Sequence, residues 1–244
     1  MHDLTQRQIE ILKSLIEEYI ETAEPVGSET LEKKHALSAS PATIRNEMVR
    51  LTNYGYLKKT HVSSGRVPTS VALKFYVKQL MKEKDLSVAE EVAVKEKVWD
   101  SRGKELEFLK QVTKSLADKT GVVALAATDD GQYFISGYAN ILDMPEFFDI
   151  DLTKTLLSAI DDFECFRPLF KAAGDEDEIH VLVGEELGPK LSGGSYGFVF
   201  KKYRTSENTG GEIGVIGPAR LNYTYVVPAV RYYGNLIQEV AKGW

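Results

Sequence analysis

Residues 38–53 announce where a helix begins and which way it faces. Ser40 carries a side chain suited to cap a helix, and Pro41 follows at the first helical position, where a missing N–H costs nothing. Ile44, Met48 and Leu51 then recur at i, i+4 and i+7 and share one face. At about 100° per residue, Thr43, Asn46, Arg50 and Asn53 project the other way. Gly55 ends the helix, residues 56–62 read as extended, Ser63-Ser64-Gly65 as a turn, and Arg66 stands at its exit. Hydroxyl, amide and guanidinium groups on the free face of a short helix can bond phosphate oxygens and base edges. This constrains the region to a helix-turn-helix with a basic wing.

The upstream sequence supplies the remaining helices. Thr5 and Gln8 have capping-box spacing, and Ile9, Leu12, Leu15, Ile16, Tyr19 and Ile20 make an apolar stripe that ends before Pro25. Gly27-Ser28 opens a short second helix that reaches about His35, and Ala36-Leu37-Ser38 is the turn. Charge follows the same boundary. The chain is acidic overall, net −6, yet residues 33–84 hold 11 basic and 2 acidic groups. Residues 1–32 hold 2 and 8, and residues 85–244 hold 17 and 26. A basic block inside an acidic chain is the electrostatic footprint of a nucleic-acid-binding module.

Ser70 begins a further helix with Val71, Phe75, Tyr76 and Leu80, and the charged residues 82–91 mark a boundary. A helical stretch covers roughly 90–119, with Gly103 as a weak point. It serves either as a helix packed on its own domain or as a dimer helix. Val122 to Ala127 reads as a buried strand, Asp129-Asp130-Gly131 as a hairpin turn, and Tyr133 to Tyr138 as the returning strand. Residues 152–172 look helical. Ile179 to Val183, Phe198 to Tyr203 and Gly211 to Ile216 look like strands, and Val226 to Lys242 like a closing helix. The expected fold class is multidomain α+β: a winged helix-turn-helix at 1–84, a helical linker at 85–120 and an α+β domain at 121–244.

Other chemistries find little support. Cys165 is the only cysteine and excludes an internal disulfide. Flanked by Phe163 and Phe166 with no histidine nearby, it reads as core rather than nucleophile. The four histidines lack ligand spacing, so no metal is expected, and no cofactor either. Gly193-Gly194-Ser195-Tyr196-Gly197 lacks the strand-loop-helix context of a phosphate cradle, and Gly211, Gly214 and Gly217 do not fit a dinucleotide fingerprint. The acidic run at 175–178 reads as a solvated loop. No signal peptide and no membrane-length apolar run are evident, so the expected location is the cytoplasm, without membrane association.

The chain resembles the HrcA family of bacterial heat-inducible transcription repressors. The likeness rests on Leu4-Thr5-Gln6-Arg7-Gln8, Glu24-Pro25-Val26-Gly27-Ser28 and the run Ser40 to Met48. It continues through His61, Ser63, Gly65-Arg66-Val67-Pro68-Thr69, the central stretch Tyr138 to Phe147, and the closing Gly214 to Tyr223. The resemblance implies a repressor of chaperone operons, bound to an inverted-repeat operator in double-stranded DNA and favoured by the GroE chaperonin. It also implies a GAF-like fold for the last domain. Two departures stand out. Thr60 replaces a usual proline, and Asp129-Asp130-Gly131 runs almost directly into Tyr138-Ala139-Asn140, where family members carry an inserted dimerising domain.

The expected DNA-facing set is therefore Ser40, Thr43, Arg45, Asn46, Arg50, Lys58, Lys59, His61, Ser63 and Arg66. Thr43 and Asn46 are the expected base readers. Ser40, Arg45, Arg50, Lys58 and Lys59 suit phosphate, and Arg66 suits a narrow minor groove. His61 is either a DNA contact or a plain hairpin residue. A homodimer is expected, held by Trp99, Leu106, Leu109 and Val112 or by Tyr225, Tyr232, Tyr233, Leu236 and Ile237. The alternatives are a regulator whose GAF-like domain binds a small molecule, and a DNA-processing enzyme, for which no carboxylate cluster or metal triad is visible.

Overall fold

The computed structural model describes residues 3–59, 65–174, 178–191, 195–206 and 209–243. The chain divides into two compact units, Met1–Lys82 and Glu83–Trp244.

In the first unit, α1 (Gln6–Thr22) opens with a capping box. Thr5 Oγ1 accepts the Gln8 N–H at 3.3 Å, and Gln8 Oε1 accepts the Thr5 N–H at 3.0 Å. Its apolar stripe is buried at Ile11, Leu12, Leu15 and Ile16, each worth about 1.5–3 kcal/mol by removal from water. α2 (Ser28–His35) and α3 (Pro41–Asn53) pack on it, and α3 contributes Ile44, Met48 and Leu51 to the same core. Ser40 caps α3 through the Thr43 N–H, with Pro41 at the first position. β1 (Leu57–Lys59) and β2 (Arg66–Pro68) then form an antiparallel ladder with Lys58 opposite Val67 and Lys59 opposite Arg66. Val26 extends it: Val26 and Arg66 exchange two backbone hydrogen bonds of 2.9 Å. Gly65 permits that approach, since a Cβ there would lie 2.8 Å from the backbone carbonyl of Pro25. α4 (Ser70–Phe75), capped by Thr69, runs on into a π-turn at Tyr76–Leu80.

The second unit is a five-stranded antiparallel sheet with helices on both faces. The strands are β3 (Val123–Thr128), β4 (Tyr133–Ser136), β5 (Ile179–Val183), β6 (Tyr196–Ser206) and β7 (Thr209–Pro218), in the order β4-β3-β7-β6-β5. Burial on both faces explains why β3 reads as a continuous apolar run. One face is covered by α6 (Glu105–Thr120) and α9 (Tyr223–Ala241), which meet through a 2.8 Å hydrogen bond between Ser115 and Tyr233. The other packs Val123, Leu125, Phe198 and Phe200 against α7 (Ile150–Asp161), α8 (Arg167–Ala172) and the short turns beside them. At Gly211 a Cβ would sit 1.9 Å from the Ala127 carbonyl, so these β7 glycines serve strand packing.

Two stretches read as single helices are broken. Residues 90–119 become α5 (Val88–Val98), a 3-10 turn at Trp99–Ser101, and α6 beyond Gly103. Residues 152–172 become α7, a turn at Phe163–Cys165, and α8, restarted by Pro168. The expected association surface is also corrected. Leu109, Val112, Tyr233, Leu236 and Ile237 are buried in this unit's own core because α6 and α9 pack on the sheet and on each other. Trp99 and Leu106 remain exposed, and Tyr225 and Tyr232 are partly buried.

Candidate nucleic-acid interface

The free face of α3 is polar and accessible. Arg45, Asn46, Arg50 and Asn53 are exposed and Thr43 is partly so, while Ile44, Glu47, Met48 and Leu51 point inward. Lys58 and Lys59 are exposed on β1, the strand that follows. His61 and Ser63 lie outside the described residues, as do Asp175 to Asp177, Gly193 and Gly194.

Arg45, Lys59 and Arg66 converge on one cleft of about 380 Å³, shared with Gly27, Ser28, Glu29 and Thr30 at the start of α2 and with Met48. Three cations from a helix and both strands of the ladder suit an anion the size of a phosphate. Arg66 follows Gly65 directly, at the exit read from the sequence. It lies in β2, with Nε donating to Thr52 Oγ1 at 3.3 Å and a guanidinium nitrogen to the Gly65 carbonyl at 3.2 Å. Ser40 is engaged in capping, its hydroxyl 3.0 Å from that of Thr43. Arg50 pairs at 3.0 Å with Glu47 on its own helix.

Glu47 is the residue that the sequence reading missed. It is buried, and Gln8 Nε2 donates to it at 2.8 Å, which ties α1 to α3 and leaves its second oxygen for Arg50. The signal was present: position 47 lies three residues after Ile44 and four before Leu51, on the core face. A parallel tie joins α1 to α2. Glu18, buried in α1, accepts from Lys34 at 2.6 Å and lies 3.1 Å from His35. The Lys34 hydrogen bond, against a smaller opposing cost of burial, holds the Glu18 carboxyl below its ordinary range.

In the second unit Cys165 is partly buried, its thiol donating to the Ala159 carbonyl at 3.2 Å, and burial raises its pKa, the reverse of what activates a thiolate nucleophile. Among the described residues no group of three or more His, Cys, Asp or Glu is placed to hold a metal, and no helix is long and apolar enough to cross a membrane.

Comparison with known proteins places this geometry in a family. Residues 41–227 match the family described as "HrcA protein C terminal domain". The chain is 26% identical to the heat-inducible transcription repressor HrcA of Geobacter sulfurreducens, with all of both chains covered. It is 27% identical to that of Clostridium acetobutylicum, over 93% of this chain and 95% of the relative. The Geobacter alignment runs over 342 positions against 244 residues here, so that relative carries stretches without a counterpart in this chain. Among solved structures, a hypothetical protein superposes with a TM-score of 0.80 at 19% identity, over 99% of each chain, and shares the fold.

Proposed function

This chain belongs to the HrcA family of heat-inducible transcription repressors, proteins that act by regulation rather than by catalysis, and on that premise we propose how its parts divide the work. Residues 1–84 act as a winged helix-turn-helix on double-stranded operator DNA, and 121–244 form a GAF-like regulatory domain whose sheet is covered on one face by α6 of the 85–120 linker. The observation that carries this reading is the exposed polar face of α3, set in a block of 11 basic and 2 acidic groups and followed by the basic strand β1. An α-helix fits the major groove, where Asn46 would bond adenine in bidentate fashion and Thr43 a neighbouring base edge.

Arg45, Lys59 and Arg66 would hold one phosphate in their shared cleft, with Lys58, Arg50 and Ser40 along the backbone. Arg66, tied to Thr52, suits that phosphate better than the floor of the minor groove. His61 and Ser63 enter through the family resemblance. A homodimer would set two such helices on an inverted repeat, one helical turn or a multiple apart, upstream of chaperone genes. Occupancy then blocks transcription in the cytoplasm, heat lowers the DNA-competent population, and the GroE chaperonin restores it.

Binding titrations on an inverted-repeat operator and on scrambled DNA test the reading. Asn46→Ala should cost about 1–3 kcal/mol on the operator alone. Lys59→Ala should weaken both DNAs alike and flatten the salt dependence. Equal losses on both DNAs for Asn46→Ala would remove the base-reading role.

A further inference from the structure

The second unit holds a cleft that DNA binding leaves unused. It lies among the β3–β4 hairpin, the turn at Phe163–Cys165, α8 and β7, and encloses about 300 Å³, the small end of the range for ligand sites. Tyr133 and Phe163 line it as a stacked pair, centroids 4.7 Å apart and planes within 2°. Tyr133 remains 50% exposed, which leaves ring surface open to a further flat group.

Asp129 and Glu212 also line the cleft, and neither carboxylate has a hydrogen bond or ion pair among the described residues. Two of the three cations beside them are engaged elsewhere. Arg167 pairs with Glu164 at 2.9 Å, and Lys202 donates to the carbonyls of Ala173 at 2.9 Å and Gly174 at 3.4 Å. Lys171 is exposed. Burial, then repulsion from Asp129, pushes the Glu212 carboxyl up to about 7, with partial relief from Lys202 and Arg167. Tyr203 is held protonated by burial and then by the nearby Glu212, its hydroxyl donating to the Ala127 carbonyl at 2.8 Å. A half-buried carboxylate that its neighbouring cations relieve only in part still gains from a cation brought directly to it. Two carboxylates without a third ligand do not make a metal site, so an organic cation fits better.

We propose that this cleft binds a small primary ammonium compound with a flat apolar body, the ammonium on Glu212 and Asp129 and the flat body on the open ring of Tyr133. The proposal is independent of the DNA-binding reading. Binding needs the ionised Glu212, so it releases protons near neutral pH, and affinity falls as pH drops from about 8 to about 6 while the ligand stays charged.

Calorimetric titration of the full chain with 2-phenylethylamine, butylamine and 3-phenylpropionate decides it. The expected result is saturable binding of phenylethylamine, binding of butylamine weaker by about tenfold or more, and none of phenylpropionate. Glu212→Gln and Tyr133→Ala should each weaken phenylethylamine about tenfold, and the heat should vary with the ionisation enthalpy of the buffer. Tyr133 is half exposed, so its variant remains informative if the other fails to fold. Equal binding of phenylpropionate, wild-type affinity in both variants, or no saturation by about 10 mM phenylethylamine would overturn the assignment.

Discussion

Two sites, one in each unit, treat carboxylates drawn out of water in opposite ways. In the first, Glu18 and Glu47 have side chains only 4% and 11% exposed, yet each is answered by its own chain: Lys34 and His35 for one, Gln8 and Arg50 for the other. In the second, Glu212 is left without a partner among the described residues in a cleft. The second unit is able to pair its acids, as Glu146 shows against Arg220, with a guanidinium nitrogen donating at 3.1 Å. The difference teaches how polar burial divides between structure and reception. A carboxylate satisfied from within fixes the angle between helices and has little left to offer. One left unsatisfied costs stability until something else arrives.

That contrast can be broken most severely in the core. Leu109→Asp puts a carboxylate where α6 is fully buried, with no cleft to receive it, and should cost more than about 4 kcal/mol and abolish the second unit's folded NMR spectrum. A folded protein with only altered association would instead make α6 a dimer surface. Glu47→Ala comes next. It strands the buried Gln8 amide, and a thermal melt should register a loss of about 1–3 kcal/mol. An unchanged melt would mean that the tie between α1 and α3 contributes nothing.

Glu212→Gln should run the other way, with a gain on the order of 1 kcal/mol at neutral pH after allowance for its partial exposure. The folded carboxyl is raised to about 7, so the folded chain keeps a proton that the unfolded chain has lost. Stability therefore falls as pH rises from about 4.3 to about 7 and is level above. The substitution removes that decline, and melts across the window should converge in acid and separate at neutral pH. Glu18→Gln gives the smallest effect and the opposite sign, a loss below about 1 kcal/mol. Its folded pKa is lowered, so its contribution is present above the ordinary carboxylate range and is lost as pH falls through it. If both variants moved neutral-pH stability in the same direction, the contrast between the units would fail.

Sequence patterns carried the first unit well because its determinants are local. The Ser40 cap, the Thr5 and Gln8 box and the Ile44, Met48, Leu51 face all lie within one or two helical turns. Arg66 was harder. Its side chain is set by Thr52, fourteen residues earlier, and its backbone by Val26, so no local pattern reports where it points. The apolar positions of α6 and α9 were visible, but a helix with two packed sides looks the same as one with a free, sticky side until the sheet is in place. The cleft of the second unit was illegible for the same reason. Asp129, Tyr133, Phe163, Arg167 and Glu212 come from four separate elements and meet only through strand order.

The bridge between Val26 and Arg66 also imposes an order of events. Helices α1, α2 and α3 are closed by near-neighbour contacts, whereas this bridge closes a loop of roughly forty residues and carries the corresponding entropy cost. Opening it would detach the start of α2, which lines the cleft through Gly27, Ser28, Glu29 and Thr30, from the β1–β2 ladder that carries Lys59 and Arg66, while that ladder and every helix keep their own hydrogen bonds. An opening confined to this bridge would therefore change the cleft while the helical circular dichroism signal still reads as native.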